Sequence, residues 1–252
     1  CPFKQVLDRL ERLCPDLNMR RYYFFIGVFV ALAIPGLVVA KTTSHDQLNP
    51  PGLYGDGIDF DVIREGEIIG THEVRFDRDA NGWNVRSVVD LEVRFLAFFV
   101  FRYRYEADAR WVNGELHRLR TDSVDDGERS SMIATRSKDL MQIRFKDKTY
   151  TTRAPIIPTN HWNASVLGQK RVLNTITGNV NDVILVSKGR EPILTERGYV
   201  DANRYSYTGD LVDTEVWYDD EGRWVKLRFL GRDGTPIEYA CRRCQGGSRV
   251  RP

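Results

Sequence analysis

Between Phe101 and Trp111 the chain switches character at every residue. Phe101, Tyr103, Tyr105, Ala107, Ala109 and Trp111 alternate with Arg102, Arg104, Glu106, Asp108 and Arg110. A period of two puts the first set on one face of an extended strand and the charges on the other. Sliding the strand by one residue would carry the whole apolar set into water, so its register is firmly specified. Asn113-Gly114 follows, a two-residue hairpin signal, and the next segment must fold back antiparallel.

The same grammar runs through most of the sequence. Ile58, Phe60 and Val62 oppose Asp59 and Asp61; after a turn at Glu65-Gly66, Ile68, Gly70, His72, Val74 and Phe76 continue a partner strand. Leu91, Val93 and Phe95 alternate with Asp90, Glu92 and Arg94. Turns at Asp125-Asp126-Gly127, Gly209-Asp210, Asp220-Glu221-Gly222 and Arg232-Asp233-Gly234 separate further segments, among them 182–187, 199–208, 211–218, 224–230 and 236–240. Roughly a dozen strands with short connections give an all-β fold, an antiparallel meander, and leave no room for βαβ crossovers. Each strand has one polar face, so the apolar faces need a common cover. The expected solution is a sheet curled into a barrel or half barrel, its concave face lined by Phe60, Phe76, Tyr103, Tyr105, Trp111, Trp217 and Phe229.

One stretch breaks the alternation. In 155–178, PIIPTNHWNASVLGQKRVLNTITG, Pro155 and Pro158 forbid a regular ladder, and Asn160, His161, Trp162 and Asn163 place hydrogen-bonding side chains on consecutive positions. A short helix is expected at about residues 163–171, with the stretch acting as a plug across the curved sheet. His161 is a weak catalytic candidate. Its local partners would be Thr159, Asn160, Asn163 and Ser165, but no acidic residue lies between Arg153 and Gly178, and the alternative role is to pin the loop through Asn160, Asn163 or backbone carbonyls. A second irregularity, 95–101, FLAFFVF, reads as a buried bulge or as an apolar hairpin tip, in which Leu96, Phe98 and Phe99 would meet a lipid, a membrane surface or a partner.

The N-terminal part belongs to another class. Met19 to Ala40 runs from Arg20-Arg21 through an apolar segment to Pro35-Gly36 and then Val38-Val39-Ala40, the three parts of a secretory signal peptide; an uncleaved inner-membrane anchor is the alternative. The expected location is therefore periplasmic or secreted. Residues 1–18 read as an over-long gene start, 41–56 as a linker rich in Pro, Gly, Ser and Asn, 57–240 as a single β domain and 241–252 as a flexible tail. Of the 37 Lys and Arg, five lie in the first 40 residues, as do three of the 35 Asp and Glu, so the remainder balances. With basic and acidic residues interspersed on every segment, nucleic acid is excluded as a partner. His45, His72, His117 and His161 show no metal-binding spacing, and there is no Gly-rich phosphate loop, so neither metal nor cofactor is expected. Cys241 and Cys244 follow a strand and do not open a helix, which favours a small disulfide ring over redox chemistry. Asp59, Asp61, Glu92, Glu106 and Asp108 lie scattered on wet faces, with nothing to gather two of them into a glycosidase pair.

The motifs PTNHWN (158–163), RVLNTITG (171–178), YTGDL (207–211) and VWYDDEGRWVKLRF (216–229), with the opening DFDVIREGEIIGTHEVRF, resemble a family of exported bacterial proteins that is a domain of unknown function. The resemblance covers about residues 57–239 and implies no activity. In strand layout alone the chain is similar to the periplasmic half barrels that carry lipoproteins or lipids between membranes. The expectation is an exported protein that binds an apolar or amphipathic molecule through the curved face, with His161 and Trp162 added to the seven lining residues. The alternatives are an envelope hydrolase using His161 and a non-catalytic envelope scaffold.

Overall fold

The computed structural model describes residues 49–95 and 99–246. The signal segment 19–40, the residues before it, most of the expected linker and the end of the tail lie outside the described residues. Among the described residues no helix is long and apolar enough to cross a membrane.

The alternating segments are strands, as expected. Eight form a meander in chain order: β1 (Gly57–Arg64), β2 (Glu67–Asp79), β3 (Gly82–Phe95), β4 (Phe99–Val112), β5 (Glu115–Asp125), β6 (Glu128–Ser137), β7 (Leu140–Phe145) and β8 (Lys148–Arg153). The irregular stretch follows. It contributes the two-residue β9 (Ile157–Pro158), a 3-10 turn at Ala164–Gly168 and β10 (Arg171–Leu173), which pairs with β9 in parallel. The chain then returns through β11 (Val180–Thr195), β12 (Gly198–Gly209), β13 (Thr214–Asp219), β14 (Trp224–Leu230) and β15 (Pro236–Arg243). All fifteen belong to one open sheet, in which β1 is hydrogen-bonded to both β2 and β15. The sheet is curled as a half barrel. The turn at 231–235 shows the curvature directly: its Arg232 forms an ion pair with Asp125 at the end of β5, remote from β14 and β15 in the strand order.

Register sorts the concave face into layers. Gly70, Leu91 and Tyr103 are cross-strand neighbours at one end; His72, Val89 and Tyr105 form the next layer; Val74, Ser87, Ala107 and Thr121 the next; and Phe76, Val85, Ala109 and Leu119 the one beyond. Trp111 closes the far end and is 1% exposed. The charges of the same strands face outward and pair along and across them: Glu106 with Arg86 and Arg104, Glu92 with Arg94 and Arg102, Asp122 with Arg120.

Two segments depart from expectation. The stretch 50–54, expected within a linker, is a short helix, α1 (Pro50–Tyr54). Pro50 and Pro51 suit the first turn, where the missing N–H leaves no partner unmet. Tyr54 is fully buried against the sheet. At the other terminus β15 runs on to Arg243, and Cys244 and Gln245 are buried, so the first residues of the expected tail belong to the folded domain. Cys241 and Cys244 form the disulfide. Glu196, in the β11–β12 turn, holds the ring in place by accepting from the backbone N–H groups of Cys244 and Gln245 at 3.1 and 2.7 Å.

Candidate functional site

The half barrel is filled from one end by the stretch that interrupts it. His161 adopts a left-handed backbone (φ 57°), which turns the chain so that Trp162 points inward. Trp162 packs edge-on against Trp111 (5.2 Å) and Phe76 (5.3 Å) and is 2% exposed. Its carbonyl accepts from the Tyr54 hydroxyl at 2.8 Å, and that hydroxyl accepts in turn from the Trp224 backbone N–H at 2.8 Å. The His161 carbonyl accepts from Tyr218 at 2.7 Å. Asn160 Oδ1 accepts from Tyr105, Thr121 donates to the Thr175 carbonyl, and Asn163 caps the 3-10 turn through the N–H of Ser165. The expectation of a helix at 163–171 thus reduces to one short turn, and the plugging role stands. Asn160 and Asn163 do hold the loop, as the sequence suggested, and tyrosines of the sheet and of α1 add the remaining pins.

His161 itself sits among aromatic rings. Its Nδ1 lies 3.3 Å from the Tyr207 hydroxyl and its ring 5.6 Å from that of Trp224. Loss of hydration pushes the imidazole down to about 4. Among the described residues no carboxylate is hydrogen-bonded to it, and the scattered acids that might have formed a pair are each tied to arginine: Asp59 to Arg75 and Arg243, Asp61 to Arg242, Asp108 to Arg86.

The sequence-derived lining residues therefore divide. Phe60, Phe76, Tyr105 and Trp111 are interior packing of the sheet and Trp162 is the plug's own contribution to it, with Phe60 4.5 Å from Trp224. Trp217 is corrected to the outer face, where neighbouring side chains still bury it to 2% exposure. Its register partners are Arg204 and Lys226, whose cationic groups lie 5.4 and 5.1 Å from its ring, and its indole N–H donates to Glu191 at 2.6 Å. The inward positions on β13 are Val216 and Tyr218. The aromatic run around it hid that phase, since Trp217 and Tyr218 are consecutive aromatics on opposite faces. The register Phe95↔Phe99 makes the second irregularity a hairpin, and its tip, including Leu96 and Phe98, lies outside the described residues.

Tyr103 and Phe229 remain at the uncovered end, the mouth. There Leu91, Val93 and Ile237 join them, and Phe229 packs edge-on to Tyr239 at 5.9 Å. On the rim Arg64 binds Asp233, Thr235 and Glu65, and Arg232 binds Asp125. Just inside lies a group that the alternation had placed on the apolar face without marking it as functional. His72 is 7% exposed, ringed by Phe60, Trp224 and Tyr239 at 6.4, 5.4 and 5.3 Å, and neither ring nitrogen has a hydrogen-bond partner. Burial, reinforced by His161, pushes it down to about 3, so it is neutral. The Tyr103 hydroxyl also lacks a partner, and burial beside Asp125 pushes it up to about 12. Ser87 Oγ, one layer deeper than His72, is a further such atom, as is Asp125 Oδ1 at the rim. A polar residue within an apolar stripe was the available signal for His72; nothing in the local sequence marked Tyr54.

Comparison with known proteins adds a fold and a family. No curated protein matches the chain. A solved structure from Brucella abortus, titled as a beta-barrel-like protein of a domain of unknown function, DUF1849, superposes with a TM-score of 0.52 at 10% identity, covering 75% of this chain and 96% of that one. At that identity the likeness speaks for the half-barrel layout alone. The family described as Domain of unknown function (DUF6134) matches residues 60–242, from the first inward phenylalanine of β1 to the end of β15, and the chain belongs to that family.

Proposed function

We propose that this protein is exported and binds an apolar or amphipathic molecule, such as a lipid, in the mouth of its half barrel. One observation carries the reading: His72 and Tyr103 hold buried polar atoms with no protein partner on a wall that is otherwise aliphatic and aromatic. Buried polar groups are ordinarily hydrogen-bonded, and an apolar concavity with a few convergent polar groups is the usual form of a small-molecule site. The plug fills the deeper layers, so the site is confined to the region bounded by Leu91, Val93, Tyr103, Phe229, Ile237 and Tyr239. Export rests on the segment Met19 to Ala40. β3 and β4 carry Val93 and Phe101 at this same end, and the apolar run 95–101 of the sequence, with Leu96, Phe98 and Phe99, is proposed to touch a membrane surface while a ligand is exchanged.

Titration of the chain with the neutral apolar fluorophore N-phenylnaphthylamine tests the reading. Saturable, blue-shifted emission that falls on replacing Phe229 and Leu91 by Ser is expected. Emission no stronger than that of a mixture with an unrelated β protein, together with no lipid carried through purification by native mass spectrometry, would remove it.

A further inference from the structure

The mouth also limits what kind of head group it can take. His72, being neutral, offers one N–H donor and one lone pair. On its own strand the position above it toward the mouth is Gly70, in register with Val62 and Leu91. A Cβ there would fall 2.0 Å from the Asp90 carbonyl oxygen, so no other residue fits and no side chain at that position covers the imidazole. Tyr103, in the layer of Gly70, presents a hydroxyl that burial keeps protonated. The charges that face this space lie at the rim, where Arg64 is bound to Glu65 and Asp233, and Arg232 to one oxygen of Asp125, whose other oxygen is buried beside Tyr103 without a hydrogen bond. His161 is the titratable group that acts on His72, and burial holds it neutral as well. A carboxylate brought to His72 would meet only cations already paired with acids and could use only its N–H, and an ammonium could use only its lone pair, the acid beside Tyr103, Asp125, being already paired with Arg232; either would lose its hydration without a free counter-charge. A hydroxyl can accept from the imidazole or donate to it, and can accept from Tyr103.

We infer that the mouth takes an uncharged, hydroxyl-bearing long-chain molecule, bound with its hydroxyl inward at His72 and Tyr103 and its chain against Leu91, Val93 and Phe229. The inference rests on the mouth-binding reading above and adds the chemical class of the ligand.

Displacement of N-phenylnaphthylamine from the chain by dodecanol, dodecanoate and dodecylamine at neutral pH tests it, with dodecane as the apolar baseline. Dodecanol is expected to compete at a concentration roughly tenfold or more below the other three. His72→Phe is expected to bring dodecanol to within about twofold of dodecane while the probe still binds, and Tyr103→Phe, nearer the rim, to narrow the gap without removing it. The wild-type comparison needs no variant to fold. If dodecanoate, dodecylamine or dodecane competes as well as dodecanol while the probe binds, the inference is overturned and the mouth reading stands. It is overturned in the same way if both variants keep the full preference. Failure of the probe to bind at all removes both.

Discussion

Two histidines set the response of this protein to acid. His72 and His161 lie on Trp224 at 5.4 and 5.6 Å and are held neutral by burial, with folded-state values of about 3 and about 4 against 6.5 for a free side chain. Between those values the unfolded chain binds more protons than the folded one, so stability is complete above about pH 6.5 and falls as the pH drops toward 4. Each fully enclosed histidine contributes a slope of about 1.4 kcal/mol per pH unit, and His161, which keeps a partial opening to solvent, contributes less. Urea midpoints from pH 7 to 4.5 are expected to decline, and His72→Phe to flatten the decline; a flat wild-type curve would contradict this account of burial. Tyr54 gives a second residue-level expectation. Tyr54→Phe leaves the Trp224 N–H and the Trp162 carbonyl without their shared partner, and a loss of about 1–3 kcal/mol is expected in chemical unfolding.

At the scale of elements, the plug is a core component carried on a loop. Trp162→Ala would empty the space between Trp111 and Phe76, a loss of about 3–5 kcal/mol measurable as a lowered thermal midpoint. The strands were legible from sequence because each carries its own period of two, and register follows once one face is apolar. The plug was legible only as an interruption. What pins it includes Tyr54 from α1, Tyr105 from β4, and Tyr207 and Tyr218 from the adjacent β12 and β13, three regions far apart in the chain, and no local pattern announces such a convergence. The phase of Trp217 was misread for a related reason: on β13 the outward residue is as aromatic as its inward neighbour Tyr218, and its place is set by Arg204, Lys226 and Glu191 on other strands. The mouth was half visible. Tyr103 and Phe229 stood out as aromatics, whereas His72 becomes notable only when its two nitrogens are seen to face no partner.

At the scale of the whole molecule, the ion pair between Arg232 and Asp125 links the β14–β15 turn to the end of β5 across the mouth. Arg232 is mostly exposed, so the pair should add less than about 1 kcal/mol to stability, and Arg232→Ala should leave the unfolding midpoint nearly unchanged. It should instead speed the release of a bound fluorophore in stopped-flow exchange, and high salt should do the same to the wild type. An unchanged release rate would mean that the pair does not gate the mouth. The strand order carries a different consequence, one of timing. β1 is hydrogen-bonded on one side to the next strand made and on the other to the last, with Asp59 and Arg243 184 positions apart along the chain. Pairings of such long sequence separation are slow to form, and this one cannot begin until β15 has been synthesised. A nascent chain lacking Pro236–Arg243 has two further bare edges, on β1 and β14, and is expected to be insoluble when produced as a truncation. Until β15 emerges, the chain remains open and unfinished, the condition in which a polypeptide can still be threaded through a narrow channel.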